Sequence, residues 1–242
     1  MSDIGIIIVT YNSAAEIGAC LDAALASGAN VVVVDNASRD GTIAEVARRG
    51  VRLIANGENR GFAAAVNQGF QVLSSPYVLL LNPDAILQSS LEPLRQACNL
   101  PGSAGAGGRL VDLEGRPQLG FMVRRLPTPA ALALEALLLN RVWPNNPVNR
   151  RYRALDLDPD RPSAVEQPAG AFLMVRRKVW EQLGGFDEEF RPGLRMWISA
   201  GAPWIRVMAS TTRRELLRNI RAGTLSRSYR WRCAAFIGMV VF

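Results

Sequence analysis

The chain contains no histidine. That absence removes imidazole acid–base catalysis and imidazole metal ligands from consideration. Cysteine is scarce. Cys20, Cys98 and Cys233 are odd in number and widely spaced, with no metal-ligand pattern, so reduced structural thiols are expected. No apolar run reaches the roughly 18–20 residues of a membrane-spanning helix. No signal-peptide pattern precedes Ile4, so a cytoplasmic protein is expected. No Gly-x-Gly-x-x-Gly follows the first apolar run, and there is no P-loop, which excludes the dinucleotide and nucleoside-triphosphate fingerprints.

What is present suffices for one core. At 242 residues and 49% apolar composition, the chain can bury a single domain, or one domain plus a short appendage. The net charge of +7 suggests nucleic acid until its distribution is read. Residues 191–242 carry ten arginines and one acid, Glu215, for +9, whereas the first 190 residues balance to −2. The basicity belongs to a tail of different composition, and no nucleic-acid partner is expected.

The first 81 residues alternate between two patterns. Apolar runs at residues 4–9, 31–34 and 77–81 read as strands buried on both faces, and residues 51–55, with Arg52 among apolar neighbours, read as a further strand. Between them lie helical patterns, capped by Ser13 and Asp40 and closed by Gly28 and Gly50, with a third opening at residues 59–62. Such alternation predicts right-handed crossovers and a mostly parallel α/β sheet. Beyond Leu110 the pattern loosens. Residues 127–140 read as a helix whose apolar face is expected to pack on the sheet, with a membrane surface as the alternative. Residues 143–168 read as a long surface loop, 169–175 as a strand and 178–183 as a short helix.

The strand at residues 77–81 runs into Asn82-Pro83-Asp84. Pro83 cannot donate to a ladder, so the strand stops there and Asp84 stands at its carboxyl end. Open α/β sheets bind ligands at that edge. Thr10-Tyr11-Asn12 and Asp35-Asn36 end two other strands at the same rim. Asp84 can hold a divalent metal or cap a helix starting near Ser89 or Ser90. Asp35 can accept from a base or ribose, or cap Ala37 and Ser38. Tyr11 can stack on a planar ring or pack, and Arg60 can grip a diphosphate or stay a solvated charge.

These segments carry a resemblance. Ile-Ile-Val-Thr-Tyr-Asn-Ser, Val-Val-Val-Asp-Asn-Ala-Ser-Arg-Asp-Gly-Thr, Glu-Asn-Arg-Gly-Phe-Ala-Ala-Ala-Val-Asn-Gln-Gly and Leu-Leu-Leu-Asn-Pro-Asp-Ala resemble the family-2 inverting glycosyltransferases. The likeness is greatest to the bacterial rhamnosyltransferase-like branch. Residues 168–177 and Gly-Gly-Phe-Asp-Glu-Glu-Phe at 184–190 match that branch as well, so the resemblance covers residues 4–190. It implies a GT-A fold and a transferase moving a sugar, by this branch rhamnose, from a nucleotide-diphosphate donor with inversion. The acceptor would be a saccharide or a lipid-linked sugar in envelope polysaccharide assembly. It further implies donor contacts from Thr10, Tyr11, Asn12, Asp35, Asn36, Arg60, Asn67 and Asp84, with Asp84 holding Mg²⁺ or Mn²⁺ as cofactor. Gly170, Ala171 and Phe172 would border the acceptor. The donor half would span residues 1–112 and the acceptor half 113–190, with peripheral membrane contact at the inner face of the cell membrane.

One part of the family pattern is missing. In the family, the Gly-Gly-Phe-Asp motif is followed closely by Glu-Asp-Val-Asp, which supplies the base for the attacking hydroxyl. Here Phe190 is followed by Arg191-Pro192-Gly193, and no acid occurs between Glu189 and Glu215. With the expected motif absent after Phe190, no catalytic base is assigned. Read one nucleotide earlier, Met196-Trp197-Ile198 must encode Val-Asp, and suitable codons for Leu194 and Arg195 complete the acidic motif. The same shift allows Tyr-Trp-Tyr-Gly-Ser in place of residues 236–240. Residues from about 191 onward are therefore read as out-of-frame translation, with an amphipathic basic tail as the alternative and weak packing expected on either account. Loss of the base would leave transfer impaired, or leave a catalytically dead nucleotide-sugar-binding remnant or a truncated product that does not fold stably. A nucleotidyltransferase, which shares the layout, is disfavoured because residues 10–15 lack its Gly-rich basic loop.

Overall fold

Four strands build the parallel half of the central sheet: β1 (Ile4–Thr10), β2 (Asn30–Asp35), the half-exposed edge strand β3 (Arg52–Ala55) and β4 (Tyr77–Leu81). The computed structural model describes residues 2–161, 163–165 and 167–188, and the backbone of residues 239–241. Ile6, Ile7, Ile8, Val32, Val33, Val34, Leu79 and Leu80 are buried whichever face they point to, which is why these strands show no polar alternation. The helices α1 (Ile17–Ala26), α2 (Thr42–Ala47) and α3 (Phe62–Val72) make the crossovers, and α4 (Glu92–Cys98) follows β4 after a longer loop.

The other strands are β5 (Gly105–Gly107), β6 (Val123–Arg124), β7 (Ser163–Val165), β8 (Gln167–Pro168), β9 (Phe172–Arg176) and β10 (Met239–Val241). The main sheet runs β3-β2-β1-β4-β9-β5-β10-β7, and β6 pairs with β8 apart from it. The first four strands are parallel as expected, but β9 lies antiparallel to both β4 and β5, so the sheet is mixed. The long excursion between β5 and β9 is not a helical crossover, so nothing obliges β9 to run parallel. Gly105 permits the tight pairing: a Cβ there would lie 2.5 Å from the Met174 carbonyl oxygen. The chain runs from β1 outward through β2 to β3, then returns to the other side of β1 for β4. The switch point of the sheet therefore falls between β1 and β4.

The second half differs more from expectation. The single helix expected at residues 127–140 is α5 (Pro129–Ala136) and α6 (Leu139–Val142), broken at Leu138 with φ +56°. Its apolar face does not pack on the sheet, since only Ala131 of α5 is buried. The expected loop at 143–168 contains α7 (Pro147–Tyr152), β7 and β8. Helix α7 starts where Asn146 Oδ1 accepts from Asn149 N, ahead of a first-position proline. The last helix, α8 (Arg177–Leu183), forms as expected.

Phe190, after which the acidic motif is expected, lies outside the described residues. So does the arginine-rich stretch that follows it, apart from β10, whose backbone pairs with β5 and β7 where weak packing was expected. Among the described residues, no helix is long and apolar enough to cross a membrane.

Candidate active site

The rim at the carboxyl ends of β1 and β2 is built from a buried hydroxyl–carboxylate pair. Thr10 and Asp35 are register partners, both fully buried, and Thr10 Oγ1 donates to Asp35 Oδ1 at 2.9 Å. Asp35 also accepts from the Ser38 amide at 2.8 Å and from the Ser38 hydroxyl. The carboxylate thus caps the turn after β2, the structural role weighed against ligand binding. A buried carboxylate holding three donors is well compensated. These bonds fix the loop at residues 36–38.

That loop is tied to the one after β1. Asn12 N donates to Ser38 Oγ at 2.8 Å, Arg39 N donates to Asn12 Oδ1, Ser13 N donates to Thr42 Oγ1, and Ala14 N donates to Asp40 Oδ2. Asn12 (φ +51°) and Ala37 (φ +64°) occupy left-handed conformations at the crossing. Ser13 therefore does not cap a helix directly, and α1 begins only at Ile17. Tyr11, between these ties, is 52% exposed.

Asn36 is buried and joins two more elements. Its Nδ2 donates to Gly61 O, and its Oδ1 accepts from Asn56 Nδ2, which also donates to Gln68 Oε1. Gly61, at φ +85°, is the turn into α3, and Asn59 Oδ1 accepts from its amide. This amide network sets the position of Arg60, which is exposed and has no hydrogen bond or ion pair among the described residues. Ser38, Asn56 and Gln68 were not singled out from sequence. The available signal was that β3, like β2, ends directly in asparagine.

Asp84 is exposed and accepts no hydrogen bond from the described residues. It caps no helix: α4 begins at Glu92, where Ser90 Oγ takes the first free amide. The turn holding it is fixed from behind. Asn82 N donates to Ala171 O at 2.9 Å, Ala85 N donates to Asn82 O, and the Cys20 thiol donates to Asn82 O at 3.4 Å. Burial, and secondarily the negative charge of Asp84, push Cys20 up to about 12, so a neutral thiol backs the turn.

Because β9 is antiparallel to β4, Leu81 pairs with Phe172, and residues 170–172 arrive at the same rim as Asp84. Ala171 is buried, while Gly170 and Phe172 are partly exposed. The Phe172 ring lies on Gly108, where an added Cβ would fall 1.5 Å from its Cε1.

Asn67, implied as a donor contact, hydrogen-bonds the segment after α8. Its Nδ2 donates to Phe186 O at 2.9 Å and to Glu188 Oε1 at 2.8 Å, and its Oδ1 accepts from Phe186 N at 2.9 Å. The amide is fully employed in anchoring the segment after α8 to α3. The paired glycines there follow from geometry. Gly184 (φ +76°) ends α8, and Gly185 (φ +90°) donates to Trp180 O, with Asn67 Oδ1 3.0 Å from where its Cβ would stand. Further along α3, Phe70 stacks on Trp180 with centroids 4.3 Å apart. Arg177 lies over the same Phe70 ring and donates to the carbonyls of Phe70, Leu73 and Ser75.

Asn67 thus fixes the described end of the Gly-Gly-Phe-Asp segment, two residues short of Phe190. The place expected for the catalytic base, directly after Phe190, lies beyond it and outside the described residues.

Among the described residues, no group of three or more His, Cys, Asp or Glu could hold a metal by itself. A single free carboxylate is the donor set expected for Mg²⁺ or Mn²⁺ when a diphosphate and water supply the remaining oxygens. Asp84 fits that description. Asp35, buried and saturated, does not.

A mixed sheet with its polar loops gathered at the β1–β4 switch point is the layout of a GT-A glycosyltransferase. The chain belongs to glycosyl transferase family 2, whose family model, "Glycosyl transferase family 2", matches residues 5–182. It is 30% identical to the N-acetylglucosaminyl-diphospho-decaprenol L-rhamnosyltransferase of Mycobacterium tuberculosis, over 84% of this chain and 74% of that protein. It is 28% identical to the low-salt glycan biosynthesis hexosyltransferase Agl10 of Haloferax volcanii, over 78% of this chain and 58% of that protein. Among solved structures, residues 1–349 of S. aureus TarS superpose with a TM-score of 0.51 at 20% identity, covering 78% of this chain and 52% of that one. The chain thus spans about half the length of that structure. The likeness to it concerns the fold.

Proposed function

We propose that this glycosyltransferase moves a sugar, of rhamnose type, from a nucleotide-diphosphate donor to a lipid-linked saccharide with inversion at the anomeric carbon. The observation that carries the reading is Asp84, a carboxylate at the switch-point rim without a hydrogen bond among the described residues, on a turn bonded to residue 171. The acceptor class is supported by the name of the M. tuberculosis relative, which specifies a diphospho-decaprenol carrier. A lipid carrier would bring the chain to the inner face of the cell membrane.

Asp84 would hold the Mg²⁺ or Mn²⁺, which when bound neutralises the departing diphosphate. Arg60 offers a planar guanidinium to the same phosphates. Tyr11 offers its exposed ring to the nucleobase, and the loops around Asn12 and Asn36 shape the pocket wall, with Thr10 and Asp35 fixing them from within. Phe172 and Gly170 border the acceptor on the opposite side. A base must still take the proton of the attacking hydroxyl, and after Glu189 and Phe190 no acid follows until Glu215. That gap favours a second reading, a copy that binds donor and turns over poorly or not at all. We read residues from about 191 as out of frame, and codons there that forbid Glu-Asp-Val-Asp would overturn this.

Calorimetric titration with a nucleoside diphosphate and Mn²⁺, beside a transfer assay, tests both readings. Metal-dependent binding should weaken at least ~100-fold in Asp84→Ala, about 2.7 kcal/mol, with the melting temperature unchanged. Undiminished binding would remove Asp84 from the metal. Binding without turnover would favour the remnant, and measurable transfer would mean that another group serves as base.

A further inference from the structure

The segment from 129 to 143 carries apolar surface that the fold leaves bare. Leu132, Leu137, Leu138, Leu139, Val142 and Trp143 are all exposed, Val142 at 86% and Leu137 at 68%. Isolated surface leucines need no explanation, but a contiguous group of large side chains does. Their presentation is enforced. Leu138 takes a left-handed conformation that ordinarily selects Gly or Asn, and so turns three consecutive leucines outward between α5 and α6.

The ridge is built from below by buried amides. Asn146, 2% exposed, donates from Nδ2 to Asn140 Oδ1 and to Trp143 O, and Asn149, 5% exposed, donates to Pro144 O. Thr128 Oγ1 caps α5 by accepting from Ala131 N. The buried amides at the start of α7 thus support a surface on which leucine, valine and tryptophan stand out beside exposed Glu135 and Arg141.

Charge selects the occupant. Residues 129–153 contain Arg141, Arg150, Arg151 and Arg153 against one acid, Glu135, which is bonded to Asn140. Arg141 and Arg150 are exposed and have no carboxylate partner among the described residues. An apolar ridge that contains exposed Arg141 and is followed by exposed Arg150 on the next helix matches an anionic bilayer, which takes the apolar side chains at the acyl boundary and the cations among its headgroups. A second copy of the chain would cover the leucines but bring the same arginines against each other.

We propose that the α5–α6 turn docks this protein onto the surface of an anionic lipid bilayer, with Leu137, Leu138, Val142 and Trp143 inserted and Arg141 and Arg150 at the phosphates. Vesicle binding tests this with the whole chain and neither donor nor acceptor, so its outcome is independent of whether sugar is transferred. The chain should cosediment with phosphatidylglycerol–phosphatidylcholine vesicles and only weakly with phosphatidylcholine alone. Leu137→Glu/Val142→Glu should lower partitioning at least ~10-fold without lowering the melting temperature. Arg141→Gln and Arg150→Gln should each lower it about 5-fold and flatten its salt dependence. Three results would overturn the proposal: equal partitioning onto neutral and anionic vesicles, partitioning unchanged in the glutamate variant, or lipid-free self-association that this variant abolishes. A glutamate variant that melts early beside a wild type blind to vesicles would also refute it, since the face would then be covered by protein.

Discussion

Replacing Asn67 by alanine removes three hydrogen bonds and leaves the Phe186 amide and carbonyl without partners. Phe186 is 7% exposed, so water reaches those groups poorly. Each unpaired buried backbone group costs about 1–3 kcal/mol, or about 2–6 for the pair. Because both bonds are only partly buried and the one to exposed Glu188 contributes little, the variant should fall in the lower part of that range, about 2–4 kcal/mol. Asn67→Asp sharpens the test. Its carboxyl could still accept from Phe186 N, but once ionised it cannot donate to Phe186 O, and it would face the Glu188 carboxylate. Both effects raise its folded-state pKa above the unfolded value. The deficit should therefore be largest at neutral pH, above that raised pKa, and shrink as the pH falls through it and the protonated group donates again. Urea denaturation followed by circular dichroism gives the free energies, and amide exchange at residues 184–188 locates the loss. If Asn67→Ala costs less than about 0.5 kcal/mol and leaves exchange at Phe186 unchanged, the anchoring argument fails.

Gly108→Ala should be destabilising by about 1–3 kcal/mol, because its Cβ would overlap the Phe172 ring. If Phe172 borders the acceptor, the acceptor KM should rise in this variant while donor affinity holds. A change confined to donor affinity would contradict the assignment. Burial pushes both Cys20 and Cys98 up to about 12, with the charge of Asp84 adding to the effect at Cys20. Because the thiolate is the reactive form, native protein should resist alkylation at both sites at neutral pH, and urea should expose them. Mass-spectrometric detection of a labelled native Cys20 would show the turn behind Asp84 to be open.

The first half of the fold was legible because β1, β2 and β4 are dominated by apolar residues and the segments between strands are punctuated by Asn, Asp, Gly and Pro. Asp35 shows where that legibility stops. Its place at the rim could be read, but whether its carboxylate faced a ligand or Ser38 depended on the left-handed turn at Ala37, which alanine does not announce. Asn67 misleads for a related reason: a helical asparagine advertises hydrogen bonding without naming its partner, here 119 residues away. The antiparallel β9 was also hidden, since an apolar run has no direction. The exposed leucines of α5 and α6 looked like core because composition alone does not reveal which elements lie within reach of the sheet. The Asp84 turn was the most legible feature, because proline fixes where a strand ends.

Arg177 belongs to the second half of the chain, yet its guanidinium closes the last turn of α3 in the first half, while Asn67 and the Phe70–Trp180 stack fasten the same helix along its length. Helix α3 is thereby held by both halves at once, and its far end carries Arg60. A hinge between the halves would have to break these bonds together. Among the described residues, a ligand-induced rearrangement that leaves these bonds intact is confined to the loops at the rim, and the scaffold beneath them should present the same face before and after.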